Sequence, residues 1–187
     1  MNKLYPLIVC LFLISCNSEK KRVHPDPEPV PAIGTKQPEN AGSDLPIDSI
    51  AFIRKKVERI NTGKLKTKQF EFKCDELMKV DYFYRNDSIV KIVVDFGTIG
   101  DTYAREDYYY DRGELIFMYE FVEGGPACEG CITKHEYRYY IKDHKTFRSL
   151  KNKHEQPCRK CEFSTASRQY KLLKTKTVAE IKNTICK

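Results

Sequence analysis

The chain has 187 residues, a formal net charge of +7, eight cysteines, twelve tyrosines and no tryptophan. About 140 of those residues lie beyond an apolar leader and a proline-rich stretch, which suffices for one domain with a real core but not for two. No GxSxG, HExxH or glycine-rich phosphate loop is present, so the common motif-bearing hydrolases and nucleotide-binding enzymes are set aside.

In chain order, the first feature is Lys3 followed by the apolar run Leu7-Ile8-Val9-Cys10-Leu11-Phe12-Leu13-Ile14. A membrane-spanning helix needs about 20 apolar residues, and this run is shorter, as the h-region of an export signal is. It closes on Leu13-Ile14-Ser15-Cys16, which resembles the lipobox of bacterial lipoproteins. The resemblance implies cleavage before Cys16, a diacylglycerol on its thiol and an acylated amino group. Such a protein is exported and lipid-anchored in the cell envelope, with palmitate-type chains holding it at about 0.8 kcal/mol per buried methylene.

Residues 16–46 form a tether. Six of the nine prolines fall there, alternating with acidic and small residues in His24-Pro25-Asp26-Pro27-Glu28-Pro29-Val30-Pro31. Proline at every second position blocks helix and sheet and favours extended polyproline II, so the segment is expected to hold the domain off the membrane.

Residues 47–187 are expected to be a single α+β domain: an antiparallel β-meander of about 6–8 strands, an N-terminal helix and a short C-terminal helix. Ile50, Ile53, Val57 and Ile60 recur at helical spacing, with Asp48 or Ser49 as cap and Gly63 as a left-handed stop. Arg54, Lys55, Lys56 and Arg59 then form the wet face. Alternation predicts strands over 69–74, 79–84, 89–96, 103–110, 114–122, 132–141, 145–150 and 168–173, with turns near Asp87, Arg112 and Asp143. Short connections require antiparallel neighbours. The 114–122 strand is apolar on both faces, with Leu115, Phe117, Tyr119 and Phe121 opposite Ile116, Met118 and Val122, so it should be central and covered on both sides. Thr177-Val178-Ala179-Glu180 is a capping box opening a helix over 178–185.

With Cys10 lost in the signal and Cys16 lipidated, Cys74, Cys128, Cys131, Cys158, Cys161 and Cys186 remain. If every connection reverses the chain, the CxxC pairs Cys128/Cys131 and Cys158/Cys161 fall at the same end of the sheet, with Cys74. Export favours disulfides, and the preferred pattern joins the two CxxC loops to each other and Cys74 to Cys186. Zinc held by Cys128, Cys131, Cys158 and Cys161 is the alternative, with His154 as an outside ligand candidate. Thioredoxin-type chemistry is disfavoured because neither pair opens a helix. No cofactor is otherwise expected.

Most tyrosines lie between Tyr82 and Tyr140 and are expected to pack across strands. The best candidate for an aromatic binding surface is the face shared by Tyr103, Arg105, Asp107 and Tyr109. Residues 142–187 carry 13 Lys/Arg against 4 Asp/Glu, and 16–141 carry 19 against 22, leaving the C-terminal third basic. His135 beside Glu136 makes no triad. The reading is therefore non-enzymatic: a lipoprotein presenting a β-sheet surface to an envelope protein or glycan, with no nucleic-acid partner. A zinc-binding lipoprotein comes second and an enzyme without a recognisable motif third.

Overall fold

A computed structural model describes residues 47–126 and 128–186. The signal, the lipobox with Cys16 and the proline-rich tether lie outside the described residues. The domain is α+β and mostly β. Helix α1 (Ile47–Thr62) leads into strands β1 (Lys66–Lys73), β2 (Leu77–Arg85), β3 (Ser88–Ile99), β4 (Thr102–Asp111), β5 (Glu114–Gly124), β6 (Thr133–Lys142), β7 (Lys145–Lys151) and β8 (His154–Glu155), followed by α2 (Arg168–Lys174) and α3 (Val178–Ile185). The eight strands form one antiparallel sheet in sequential order.

Two-residue turns with both residues at positive φ close four hairpins: Asn86-Asp87, Arg112-Gly113, Asp143-His144 and Asn152-Lys153. Their left-handed backbone matches the twist of the flanking strands. The first three lie at the turns expected near Asp87, Arg112 and Asp143, and the fourth is an additional reversal. That turn matters, because it adds β8 and one more reversal.

Both sheet faces are buried. On one, Val80, Tyr82, Ile92, Val94, Tyr108, Tyr110, Met118 and Tyr139 pack with Phe163, Tyr170 and Leu172, and with Ile181 and Ile185 of α3. On the other, Tyr103, Tyr109, Phe117, Tyr119, Phe121 and Tyr140 pack with Ile53 and Ile60 of α1. We call these the C-terminal face and the α1 face. β5 is fifth of eight strands and contributes to both, which accounts for its apolar residues on either side. The tyrosines of the C-terminal face also clip α2 to the sheet. Tyr82 Oη donates to Leu172 O at 3.2 Å and Tyr110 Oη to Gln169 O at 2.9 Å.

Three local expectations change. Residues 168–173 form α2 rather than a strand, because Arg-Gln-Tyr-Lys-Leu-Leu holds straight-chain helix formers and no β-branched residue. α1 begins at Ile47, so Asp48 and Ser49 lie in its first turn. Gly63 does not stop the helix in a left-handed conformation. Arg85 Nη2 donates to Arg59 O at 2.8 Å, and a Cβ on Gly63 would sit 2.8 Å from both atoms, so the glycine supplies space.

Gly97 is different again. It sits at φ +68° in a bulge where β3 shifts register against β4, and its amide donates to Asp95 Oδ1 at 2.9 Å. A Cβ there would lie 2.8 Å from Leu77 O. Gly97→Val combines a left-handed β-branched residue with a backbone clash, and is expected to cost about 2–4 kcal/mol in a urea unfolding curve.

Candidate functional site

β4 sends alternate side chains to opposite faces, and its charges divide accordingly. Tyr103, Arg105, Asp107 and Tyr109 stand together on the α1 face. Asp107 is fully buried, and Arg105 clamps it with Nε at 2.8 Å and Nη2 at 3.0 Å while Lys91 Nζ approaches to 2.9 Å. A carboxylate removed from water needs such charge-assisted donors. Asn61, in the last turn of α1, accepts from Lys91 Nζ at 3.2 Å and from Tyr109 Oη at 3.0 Å, so the helix end is pinned to this cluster.

The four residues expected to form an aromatic surface are thus side by side, but not as an exposed platform. Tyr109 is 0% and Tyr103 7% exposed. Tyr109 packs edge-on to Phe117, with ring centroids 5.5 Å apart, and Tyr103 leans on Phe121 at 6.1 Å. Neighbouring aromatic side chains and the cover of α1 through Ile53 and Ile60 bury the rings. The accessible feature is a groove beside them, of about 420 Å³, between the C-terminal end of α1 and strands β1–β4. Asn61, Leu65, Lys79, Asp81, Phe83, Asp95 and Arg105 line it.

Two carboxylates define the groove's chemistry. Asp81 is held above the ordinary range, chiefly by loss of water around it and further by Asp95, against the opposing pull of a Gln69 hydrogen bond and of Arg105. Its Oδ1 is buried with no hydrogen-bond partner among the described residues. Because the folded value is raised, the ionised form costs stability at neutral pH, and that cost is relieved as pH falls through the folded value. Asp81→Asn removes the charge and keeps the shape. It is expected to leave stability unchanged or to raise it by about a few tenths of a kcal/mol at pH 7, the half-exposed position discounting the effect. Urea midpoints at pH 7 check this.

Glu106, on the C-terminal face, carries the other buried charge cluster. Burial pushes its carboxyl up, but Lys160 and Arg168 together outweigh burial and hold it below the ordinary glutamate range. Lys160 Nζ lies 2.7 Å from Glu106 Oε1 and 3.2 Å from Glu120 Oε2, and Arg168 Nη2 lies 2.6 Å from Glu106 Oε2. Tyr108 Oη also donates to Glu106, and Tyr139 Oη to Glu120 at 3.1 Å. These partners satisfy the two acids and leave the cluster closed.

A larger cleft of about 720 Å³ lies where the first half of α1 meets the β4–β5 and β6–β7 turns, with Phe52, Ile53, Ile116 and Phe147 among its walls. Two of its three lining acids are engaged, Asp111 by Lys56 at 2.7 Å and Glu114 by Tyr170 at 3.0 Å, and Asp143 is the third.

The cysteines depart from expectation. Cys74 pairs with Cys186, as expected, but Cys128 pairs with Cys131 and Cys158 with Cys161, so each CxxC closes on itself. The fourth turn explains why. Cys128 sits near Gly100, Asp101 and Gly124 at one end of the sheet. The reversal at Asn152-Lys153 carries the second pair back along β7, where Cys161 O accepts from Thr146 N at 2.8 Å and Phe163 N donates to His144 O. The four sulfurs of the zinc alternative therefore do not converge. Among the described residues no group of three or more His, Cys, Asp or Glu could hold a metal ion. His154 is exposed on β8.

Sequence alternation singled out Arg105 and Asp107 but missed Lys91, Asp81 and Asp95. Asp81 in β2 and Asp95 at the end of the apolar run of β3 look in sequence like ordinary solvated charges. A lysine inside Ile89-Val90-Lys91-Ile92-Val93-Val94 was the one available signal, since a charge amid β-branched residues needs a partner. Fold and site together define a mostly-β domain with a charged groove where a helix meets a sheet. No protein-family model matches the chain, and no curated protein or solved structure shows significant similarity to it.

Proposed function

We propose that this chain is an exported, lipid-anchored envelope protein whose domain binds a protein or glycan partner in the α1-face groove without catalysing a reaction. The observation that carries the reading is the groove itself. Asp81, Asp95, Lys79 and Arg105 converge around the Phe83 ring in a space of about 420 Å³, a few polar groups against an apolar wall. The Asp81 carboxylate, whose Oδ1 has no hydrogen-bond partner among the described residues, favours a ligand rich in hydroxyl or amino donors. The lipobox ending at Cys16 and the spacer after it support placement at a membrane surface. Among the described residues no helix is long and apolar enough to cross a bilayer.

The anchor is tested by growth on labelled palmitate: the wild-type chain is expected to take up label and Cys16→Ser to lose it. Ligand capture from envelope extract, covering both soluble glycans and proteins, tests the groove. Asp95→Asn together with Asp81→Asn is expected to weaken retention about tenfold or more, the worth of about one lost charged hydrogen bond. Equal retention by wild type and variant removes the groove from the account.

A further inference from the structure

The two CxxC rings are the same size but sit in opposite chemical surroundings. Cys128 and Glu129 of the first ring line a cavity with Asp101 and Glu123, and among the described residues no basic side chain lines it, Lys134 meeting Glu123 at 3.4 Å from outside. Cys158-Arg159-Lys160-Cys161 carries two cationic residues between its cysteines in the chain: the Arg159 guanidinium lies over the Tyr137 ring, 4.3 Å from its centroid, and Lys160 reaches the buried Glu106 and Glu120. Cations beside a cysteine pair stabilise the thiolates of its reduced form and make the disulfide a better electron acceptor, and anions do the reverse. Access does not separate the rings, since each has one exposed cysteine (Cys161, Cys128) and one half-buried cysteine (Cys158, Cys131), so the contrast between them lies in charge. Cys74 and Cys186 are partly buried against the core, which shields the third bridge.

The second ring also does something the first does not. Lys160 is one of the two residues the disulfide encircles, and its carbonyl accepts from Thr146 Oγ1 at 2.6 Å while Cys161 O accepts from Thr146 N at 2.8 Å. The closed ring therefore aims Lys160 down at an acid pair inside the protein and docks the segment on the start of β7. Opening the ring loosens four residues that meet the sheet through those contacts and through Arg159 over the Tyr137 ring.

We propose that Cys158–Cys161 is a thiol–disulfide exchange site for a dithiol partner, and that its opening releases Lys160 from Glu106 and Glu120. One partner thiolate attacks the exposed Cys161 sulfur, the Cys158–Cys161 bond breaks, and Cys158 leaves as a thiolate that takes up a proton. The partner's second thiolate then displaces Cys161, which is protonated in turn. The partner ends as a disulfide, two electrons lighter, and this chain holds two thiols.

The test uses the full chain with its native cysteines. The protein is equilibrated in graded ratios of reduced to oxidised dithiothreitol, acid-quenched and alkylated, and each cysteine is followed by peptide mass spectrometry. Cys158 and Cys161 are expected to be half-labelled at a ratio at least tenfold lower than Cys128 and Cys131. Equal ratios, or labelling of Cys128 and Cys131 first, overturn the assignment. At the ratio where only the Cys158–Cys161 ring is open, hydrogen exchange of the Thr146 amide is expected to speed at least tenfold. Unchanged protection there overturns the release of the latch.

Discussion

Replacing Cys74 and Cys186 together by serine is expected to be the most destabilising change available to this domain short of breaking its core. The bridge spans 112 residues, from the β1–β2 connection to the end of α3. In the chain-entropy account a loop of that length contributes about 4–5 kcal/mol, whereas a ring closed over three residues contributes about 2 kcal/mol or less. The same bridge ties α3, whose Ile181 and Ile185 seal the C-terminal face, to the opposite end of the chain. The double variant should melt roughly 10–20 °C below wild type under non-reducing conditions, given a few degrees per kcal/mol for a domain of this size. The Cys128→Ser/Cys131→Ser variant should shift by only a few degrees. A larger fall for the short ring than for the long bridge would contradict this ranking.

Lys160→Met is the second large effect. The substitution leaves Glu106 with Arg168 and Tyr108 and leaves Glu120 with Tyr139, so one buried acid pair loses its shared cation. Breaking a fully buried ion pair costs about 3–5 kcal/mol, and here about 2–3 kcal/mol is expected because Lys160 is 30% exposed and Arg168 remains. The pH dependence has a definite sign. Glu106 is depressed in the folded state relative to its ordinary value of 4.5, so its contribution is complete above that value and is lost as pH falls through the lower folded value. In the variant the Glu106 carboxyl, without Lys160 beside it, accepts a proton more readily, which relieves the stranded charge. The difference in urea midpoint between wild type and variant should therefore be largest near neutrality and shrink below about pH 4.5. A gap that stays constant into acid would show that Lys160 acts by packing its stem rather than by its charge.

How much of this was legible beforehand depends on the range of the interaction involved. Local signals read well. Ile50, Ile53, Val57 and Ile60 marked α1, Thr177 and Glu180 marked the capping box that the structure closes, and the apolar content of both faces of β5 announced two covering layers. The pairing of Cys74 with Cys186 followed because the remaining cysteines fell into obvious pairs. Errors arose where one local choice has a distant consequence. Asn152-Lys153 is a two-residue turn without glycine, an unremarkable dipeptide in sequence, yet it reverses the chain and moves Cys158 and Cys161 away from Cys128 and Cys131. Strand parity is a count, and one uncounted reversal inverts every later position. The stretch 168–173 carries its own local signal, because apart from Tyr170 its residues are straight-chain or leucine helix formers.

Alternation, turn chemistry and capping were enough to establish an antiparallel meander with helices at both ends of the domain, because period-2 and period-3.6 patterns arise from backbone geometry that each segment carries within itself. Which charges are buried was decided only in three dimensions. Asp107 and Glu106 are neighbours on one strand, yet the first is satisfied by Arg105 and Lys91 beneath α1, and the second by Lys160 and Arg168 beneath the C-terminal segment. Those partners lie as close as two residues and as far as 62 residues away in the chain. A charge costs free energy according to what surrounds it, and the surroundings of a strand residue are supplied by other strands and helices.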